Sequence, residues 1–183
     1  MNNARKLAVS VVGGVTLVAG LVVGGPDLVA HLQRLEGSPT TVYADKLAYG
    51  VPTVCGGHTD WSLRVGQVYD RAFCDRLDRK TATEYGIAVA ECIGPENLTQ
   101  HSLDAFTLFA VNVGKAGACG SRAAQLMRAG KHDDGCRAIS RGPTGKRVWI
   151  TAGGKPRNGL AKRRDFETAL CLKPATPTRK ETA

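Results

Sequence analysis

The sequence predicts a mostly helical α+β chain whose strands are confined to one short stretch. Two observations carry this. From residue 65 onward apolar residues recur at helical spacing in long segments, and ahead of them residues 36–59 form a β-branched stretch cut by Gly and Pro. The 183 residues, 43% of them hydrophobic, suffice for one domain with a sizeable core plus an extension.

Residues 1–6 carry Arg5 and Lys6 without an acid, which would hold the N-terminus in the cytoplasm. Residues 7–25 (LAVSVVGGVTLVAGLVVGG) are uncharged over the roughly 20 positions that a bilayer-spanning helix requires. Three readings stand side by side: a permanent anchor, a cleaved signal peptide and a temporary anchor. No A-x-A cleavage site precedes Pro26, which counts against the second. Ten Leu and Val residues contribute roughly −3 to −6 kcal/mol to insertion, and Ser10, Thr16, Gly13, Gly14, Gly20, Gly24 and Gly25 offset part of it. The anchor is weak. A permanent anchor would use Gly20 and Gly24 to pack another helix.

Residues 27–35 are amphipathic, with Leu28, Val29, Leu32 and Leu35 at helical spacing; Glu36 ends the helix and Gly37 supplies the stop. Thr40, Thr41, Val42 and Tyr43 then favour a strand, and Gly50, Pro52, Gly56 and Gly57 divide the next stretch into short strands and turns. A helix-end carboxyl, Glu36, thus precedes a hairpin carboxyl, Asp45. Glycoside hydrolysis needs such a pair, one acid to protonate the leaving oxygen and one carboxylate to activate water or attack the anomeric carbon. The plainer reading has Glu36 solvating a helix end and Asp45 serving a turn.

Residues 65–93 read as one long helix or two in tandem, with Val68, Ala72, Leu77, Ile87, Val89, Cys92 and Ile93 apolar, ended by Gly94-Pro95. Residues 98–114 are the expected buried core helix, through Leu103, Phe106, Leu108, Phe109, Val111 and Val113. Shorter helices are expected over 121–129 and 133–140. The Pro/Thr/Lys-rich tail, 173–183, is expected to be disordered. No internal repeat, P-loop or dinucleotide fingerprint is present in the sequence.

A formal charge of +9 calls for an anionic partner. With 5% aromatic residues and no zinc-finger, RNP-like or basic-zipper pattern, nucleic acid is not that partner, and a polyanionic cell envelope fits the charge. Six cysteines without zinc spacing indicate an oxidising compartment. Among the many pairings open to them we expect Cys136 with Cys171, which would tie the last helix to the body.

Three separated motifs point further. Glu36-Gly37, Tyr43-x-Asp45 and the string from Gly50 to Thr59 (G-x-P-T-V-C-x-G-H-T) form the first; Phe109-Ala-Val-Asn112-Val-Gly114 is the second; and Trp149, Gly153-Gly154, Gly159-Leu160, Arg163-Arg164, Glu167 and Leu170-Cys171 close the series. In this order they resemble the phage-type lysozymes of glycoside hydrolase family 24, endolysins that cut the glycan of bacterial cell walls. The resemblance covers residues 31–172. It implies a lysozyme-like fold, a small β-hairpin subdomain and a larger helical lobe, and hydrolysis of the β-1,4 bond between N-acetylmuramic acid and N-acetylglucosamine. Carried over, Glu36 is the general acid, Asp45 the water-side carboxylate and Thr53 the third member. The family pattern Glu-x8-Asp is kept, whereas seven residues rather than five separate Asp45 from Thr53. Asn112 is implied as a sugar contact, and the closing motif as packing and helix-orienting residues.

The Gly-rich N-terminal segment resembles the signal-arrest-release type, inserted by the host secretion machinery into the inner membrane and later freed to the periplasm. The implied organisation is a signal anchor over 1–26, a catalytic domain over 27–172 and the tail; the implied enzyme is a monomer acting on peptidoglycan without cofactor or metal. A carboxyl separation of about 6.5–9.5 Å would mean inversion and about 5–5.5 Å retention. Three rivals remain: a Cys55/His58 hydrolase, a non-catalytic basic wall-binding protein, and a lytic transglycosylase acting on the same bond.

Overall fold

The structure, a computed structural model, describes residues 7–12, 14–46 and 49–174. It divides into two units. One holds the chain up to Val23 and again from Tyr85 on; the other is Gly24–Glu84. The readings of residues 1–6 and of most of the tail, 175–183, lie outside the described residues.

Residues 7–25, expected as one spanning helix, instead form an antiparallel sheet of three strands, β1 (Val9–Val12), β2 (Val15–Val18) and β3 (Leu21–Val23). Val12 pairs with Val15 and Val18 with Leu21, and the second reversal takes two residues. Ala19 and Gly20 both hold positive φ, 49° and 84°, as a type I′ turn requires. Valine-rich segments fit a pleated sheet well, and Gly14 and Gly20, which weaken a spanning helix, hold positive φ where this chain turns back. In a bilayer only a helix would satisfy this backbone from within; here neighbouring strands do so. Among the described residues no helix is long and apolar enough to cross a membrane. Val18 and Val23 are buried, while Val9, Val11 and Val12 are exposed.

In the Gly24–Glu84 unit, α1 (Pro26–Glu36) starts with Pro at its first position and buries Leu28, Val29 and Leu32. A meander comes next: β4 (Tyr43–Asp45), β5 (Val51–Val54) and β6 (His58–Thr59). Val42, Val54, Cys55 and Cys74 form its core, with Leu63, Tyr69, Phe73 and Leu77 packed against them, and a disulfide joins Cys55 to Cys74.

The helix expected from residue 65 begins later, as α2 (Arg71–Ile93). Residues 65–70 run alongside residues 40–42 instead: Val42 N–H donates to Gln67 O (2.8 Å), Gly66 N–H to Val42 O (2.9 Å) and Tyr69 N–H to Thr40 O (2.9 Å). Gly66, at φ 89°, could not continue a helix. Asp70 then caps α2, its Oδ1 accepting from Phe73 N–H at 2.6 Å.

The other unit is built on α3 (Gln100–Val113), opened by a capping box between Thr99 and Ser102. Leu103, Ala105, Phe106, Leu108, Phe109 and Ala110 are buried. α7 (Asn158–Cys171) packs along it. Between them lie α4 (Lys115–Gly120), absent from the expectations; α5 (Arg122–Arg128), capped by Ser121; α6 (His132–Arg137), ending three residues early in a tightened turn; and a hairpin of β7 (Thr151–Ala152) and β8 (Lys155–Pro156). Disulfides join Cys92 to Cys119 and, as expected, Cys136 to Cys171.

Candidate active site

Glu36, Asp45 and Thr53 all fall in the Gly24–Glu84 unit. Glu36 is the last residue of α1 and is exposed; the chain leaves the helix through Gly37, at φ 70° and ψ 155°. Glu36, four residues beyond Leu32 and seven beyond Val29, lies in line with the buried stripe but past its end, where the carboxyl is exposed.

Asp45 ends β4, half-buried, opposite Val51 on β5. The chain returns to β5 with Gly50 N–H donating to Asp45 O at 2.7 Å, Tyr49 and Gly50 both holding positive φ. The strands on either side keep a regular register. Thr53 pairs with Tyr43, two residues from Asp45, so Tyr43, Asp45 and Thr53 lie on one face of the hairpin. Thr53 is buried, and its hydroxyl donates to Val51 O at 3.0 Å, leaving its oxygen lone pairs as acceptors.

Tyr43 links the two acids. Partial burial, then the charge of Asp45, then that of Glu36 push its phenol above the ordinary value. Both carboxylates therefore act on one ring. Nearby, Asp60 is held below the usual carboxylate range by Ser62, whose N–H donates to its Oδ1 at 2.8 Å, with a smaller contribution from His58.

Cys55, the nucleophile of the rival hydrolase reading, is bonded to Cys74, so it offers no thiol to His58. Among the described residues no group of three or more His, Cys, Asp or Glu stands ready to hold a metal ion.

Asn112 lies in the other unit, exposed near the end of α3, and its Oδ1 accepts from Arg164 Nη2 at 2.9 Å. The closing motif does orient and pack: Glu167 Oε1 accepts from Arg163 Nε (3.0 Å) and Arg164 Nη2 (2.9 Å), all three residues buried. Arg164 lies 4.8 Å over the Phe109 ring, which Trp149 meets edge-on at 5.5 Å.

Sequence reasoning passed over Tyr43 as a site residue and missed Asp78, to which Gln33 and Ser38, on either side of Glu36 in the chain, hydrogen-bond. A signal for Asp78 was present: with Cys74 and Ala82 it falls at helical spacing on the buried side of α2, where a carboxylate needs a reason.

The phage lysozyme family profile matches residues 33–167. The SAR-endolysin of Bacteriophage PS119 is 30% identical over 175 residues, 94% of this chain and 94% of that one. Among solved structures, a lysozyme variant of phage P22 superposes with a TM-score of 0.70 at 25% identity, covering 81% of this chain and 97% of that one. The muramidase domain of SpmX from Asticaccaulis excentricus superposes at 0.69 and 24% identity, covering 82% and 97%.

Proposed function

This chain belongs to the phage lysozyme family, and on that premise we propose that it is an endolysin, a muramidase that hydrolyses the β-1,4 bond between N-acetylmuramic acid and N-acetylglucosamine in peptidoglycan during host cell lysis. The observation that carries this reading is the placement in one unit of Glu36 at the end of α1 and of Asp45 and Thr53 on one face of the β4–β5 hairpin. Glu36 gives its proton to the leaving glycosidic oxygen. Asp45, ionised, draws a proton from the attacking water, and Thr53, whose own proton is committed to Val51, accepts from the same water. Asn112, oriented by Arg164, contacts the sugar. The charge of +9 draws the monomeric enzyme to the anionic envelope.

Residues 7–25 serve as a temporary anchor. The host secretion machinery inserts them in the inner membrane with the N-terminus in the cytoplasm, and they leave uncleaved, freeing the enzyme into the periplasm. This is supported by the SAR-endolysin relatives, by the weak apolar gain of the segment, and by the seat that Val18 and Val23 occupy in the folded chain.

Turbidity loss of permeabilised Gram-negative cells, followed by analysis of the released fragments, tests the reaction. New reducing sugar is the expected product. Free amines would mean a peptide or amide hydrolase, an anhydro sugar a transglycosylase, and no fragments a binder.

A further inference from the structure

One buried carboxylate is tied to the segments that carry all three proposed catalytic residues. Asp78, on α2, is 2% exposed. Its Oδ1 accepts from Gly56 N–H at 2.9 Å, three residues past Thr53 and beside the Cys55–Cys74 bridge. Its Oδ2 accepts from the Ser38 hydroxyl at 3.1 Å and from the Gln33 amide at 3.0 Å, two residues after Glu36 and three before it.

The donors are themselves held. Arg71 donates to Ser38 Oγ and to Ser38 O, both at 2.9 Å, so the hydroxyl accepts from a guanidinium while it donates to Asp78. The Gln33 amide also donates to Asp75 Oδ1 at 2.8 Å. Residue 56 must lack a side chain, because a Cβ there would stand 2.6 Å from Asp78 Oδ1.

Burying a carboxylate against neutral donors costs more than filling the space with an apolar side chain. What the carboxylate adds is direction: three donors, from the end of α1 and from the turn after β5, converge on two oxygens. We propose that Asp78 is a positioning residue for the reaction, fixing the end of α1 that carries Glu36 against the hairpin that carries Asp45 and Thr53. The proposal rests on the catalytic reading of those three residues. Proton transfer needs reacting heavy atoms within about 2.6–3.2 Å, and a misplacement of about 1 Å can cost about a hundredfold in rate.

The test uses the full-length enzyme on a soluble peptidoglycan fragment that yields kcat and KM separately, with circular dichroism to measure the folded fraction. Asp78→Asn keeps the size of the side chain but sets an NH2 against one of the donors. Its kcat should fall about 10- to 100-fold per folded molecule, with KM within about twofold. Ser38→Ala should lower kcat about threefold, and the double variant should fall no further than Asp78→Asn, because both act through one link.

An unchanged kcat for Asp78→Asn, losses that multiply in the double variant, or a loss that vanishes on correction for folded fraction would overturn the proposal. If Asp78→Asn does not fold, Ser38→Ala decides: lower kcat at constant KM upholds it and no loss overturns it. Glu36→Gln runs alongside. An active Glu36→Gln removes the catalytic reading, whereas an inactive one beside a fully active Asp78→Asn removes only the positioning role.

Discussion

The side-chain amide of Gln100 acts toward Val22 as a strand would: its Nε2 donates to Val22 O and its Oε1 accepts from Val22 N–H, each at 2.9 Å. Nε2 also donates to Asp104 Oδ1 at 3.0 Å, which fixes the orientation of the amide. β3 is an edge strand, and this pair occupies backbone groups that would otherwise be open to another chain. The N-terminal sheet is thereby joined to the core helix α3 by recognition of its backbone.

Gln100→Leu leaves both groups of Val22 without that partner, at a local cost of about 1–3 kcal/mol. Amide exchange at Val22, followed by NMR, should accelerate at least about tenfold while exchange in the buried middle of α3 stays slow. Unchanged protection at Val22 would show that the sheet is held by other means.

The Tyr43 phenol reports on both acids. Each carboxylate disfavours the phenolate, so removing either negative charge must lower the phenol's pKa, and Asp45→Asn should lower it more than Glu36→Gln does, following the order of their effects on the ring. An NMR titration of ring-labelled tyrosine reads this directly. A Tyr43 titration indifferent to both substitutions would place the acids apart.

Some of this architecture was legible in the sequence and some was not, for reasons that differ by element. Glu36 at a helix end and the α3 core rest on local periodicity and stop signals, which short windows carry, whereas the Cys136–Cys171 link was expected only because both cysteines lie in the last third of the chain. Residues 7–25 satisfy the pattern of a bilayer helix and of valine-rich strands equally, and Gln100, which pairs with Val22, lies 78 positions beyond it. Val65 and Val68 fit a helical stripe, yet the backbone groups of residues 40–42 claim that segment first. Asp78 was visible as a carboxylate on a buried helix face, but its partners lie 22 to 45 residues away, beyond any pattern read along the chain.

For the anchor, collapsing the membrane potential in expressing cells should move uncleaved protein from the membrane fraction to the periplasm and start lysis. A periplasmic form beginning near Pro26 would contradict release, since it would lack β1, β2 and β3 altogether. Replacing Gly13, Gly14 and Gly20 with Leu should hold the protein at the membrane, each swap adding a few tenths of a kcal/mol or more to insertion. At Gly14 and Gly20, whose φ values are 78° and 84°, leucine would also oppose the turns of the folded sheet.

The most direct test of the catalytic account is the rate at which folded Glu36→Gln releases reducing ends from purified peptidoglycan, beside the unsubstituted enzyme. An amide cannot supply the proton that the leaving oxygen needs, so the rate should drop by at least about a hundredfold with a native circular dichroism spectrum. A Glu36→Gln protein of native spectrum and undiminished rate would contradict it.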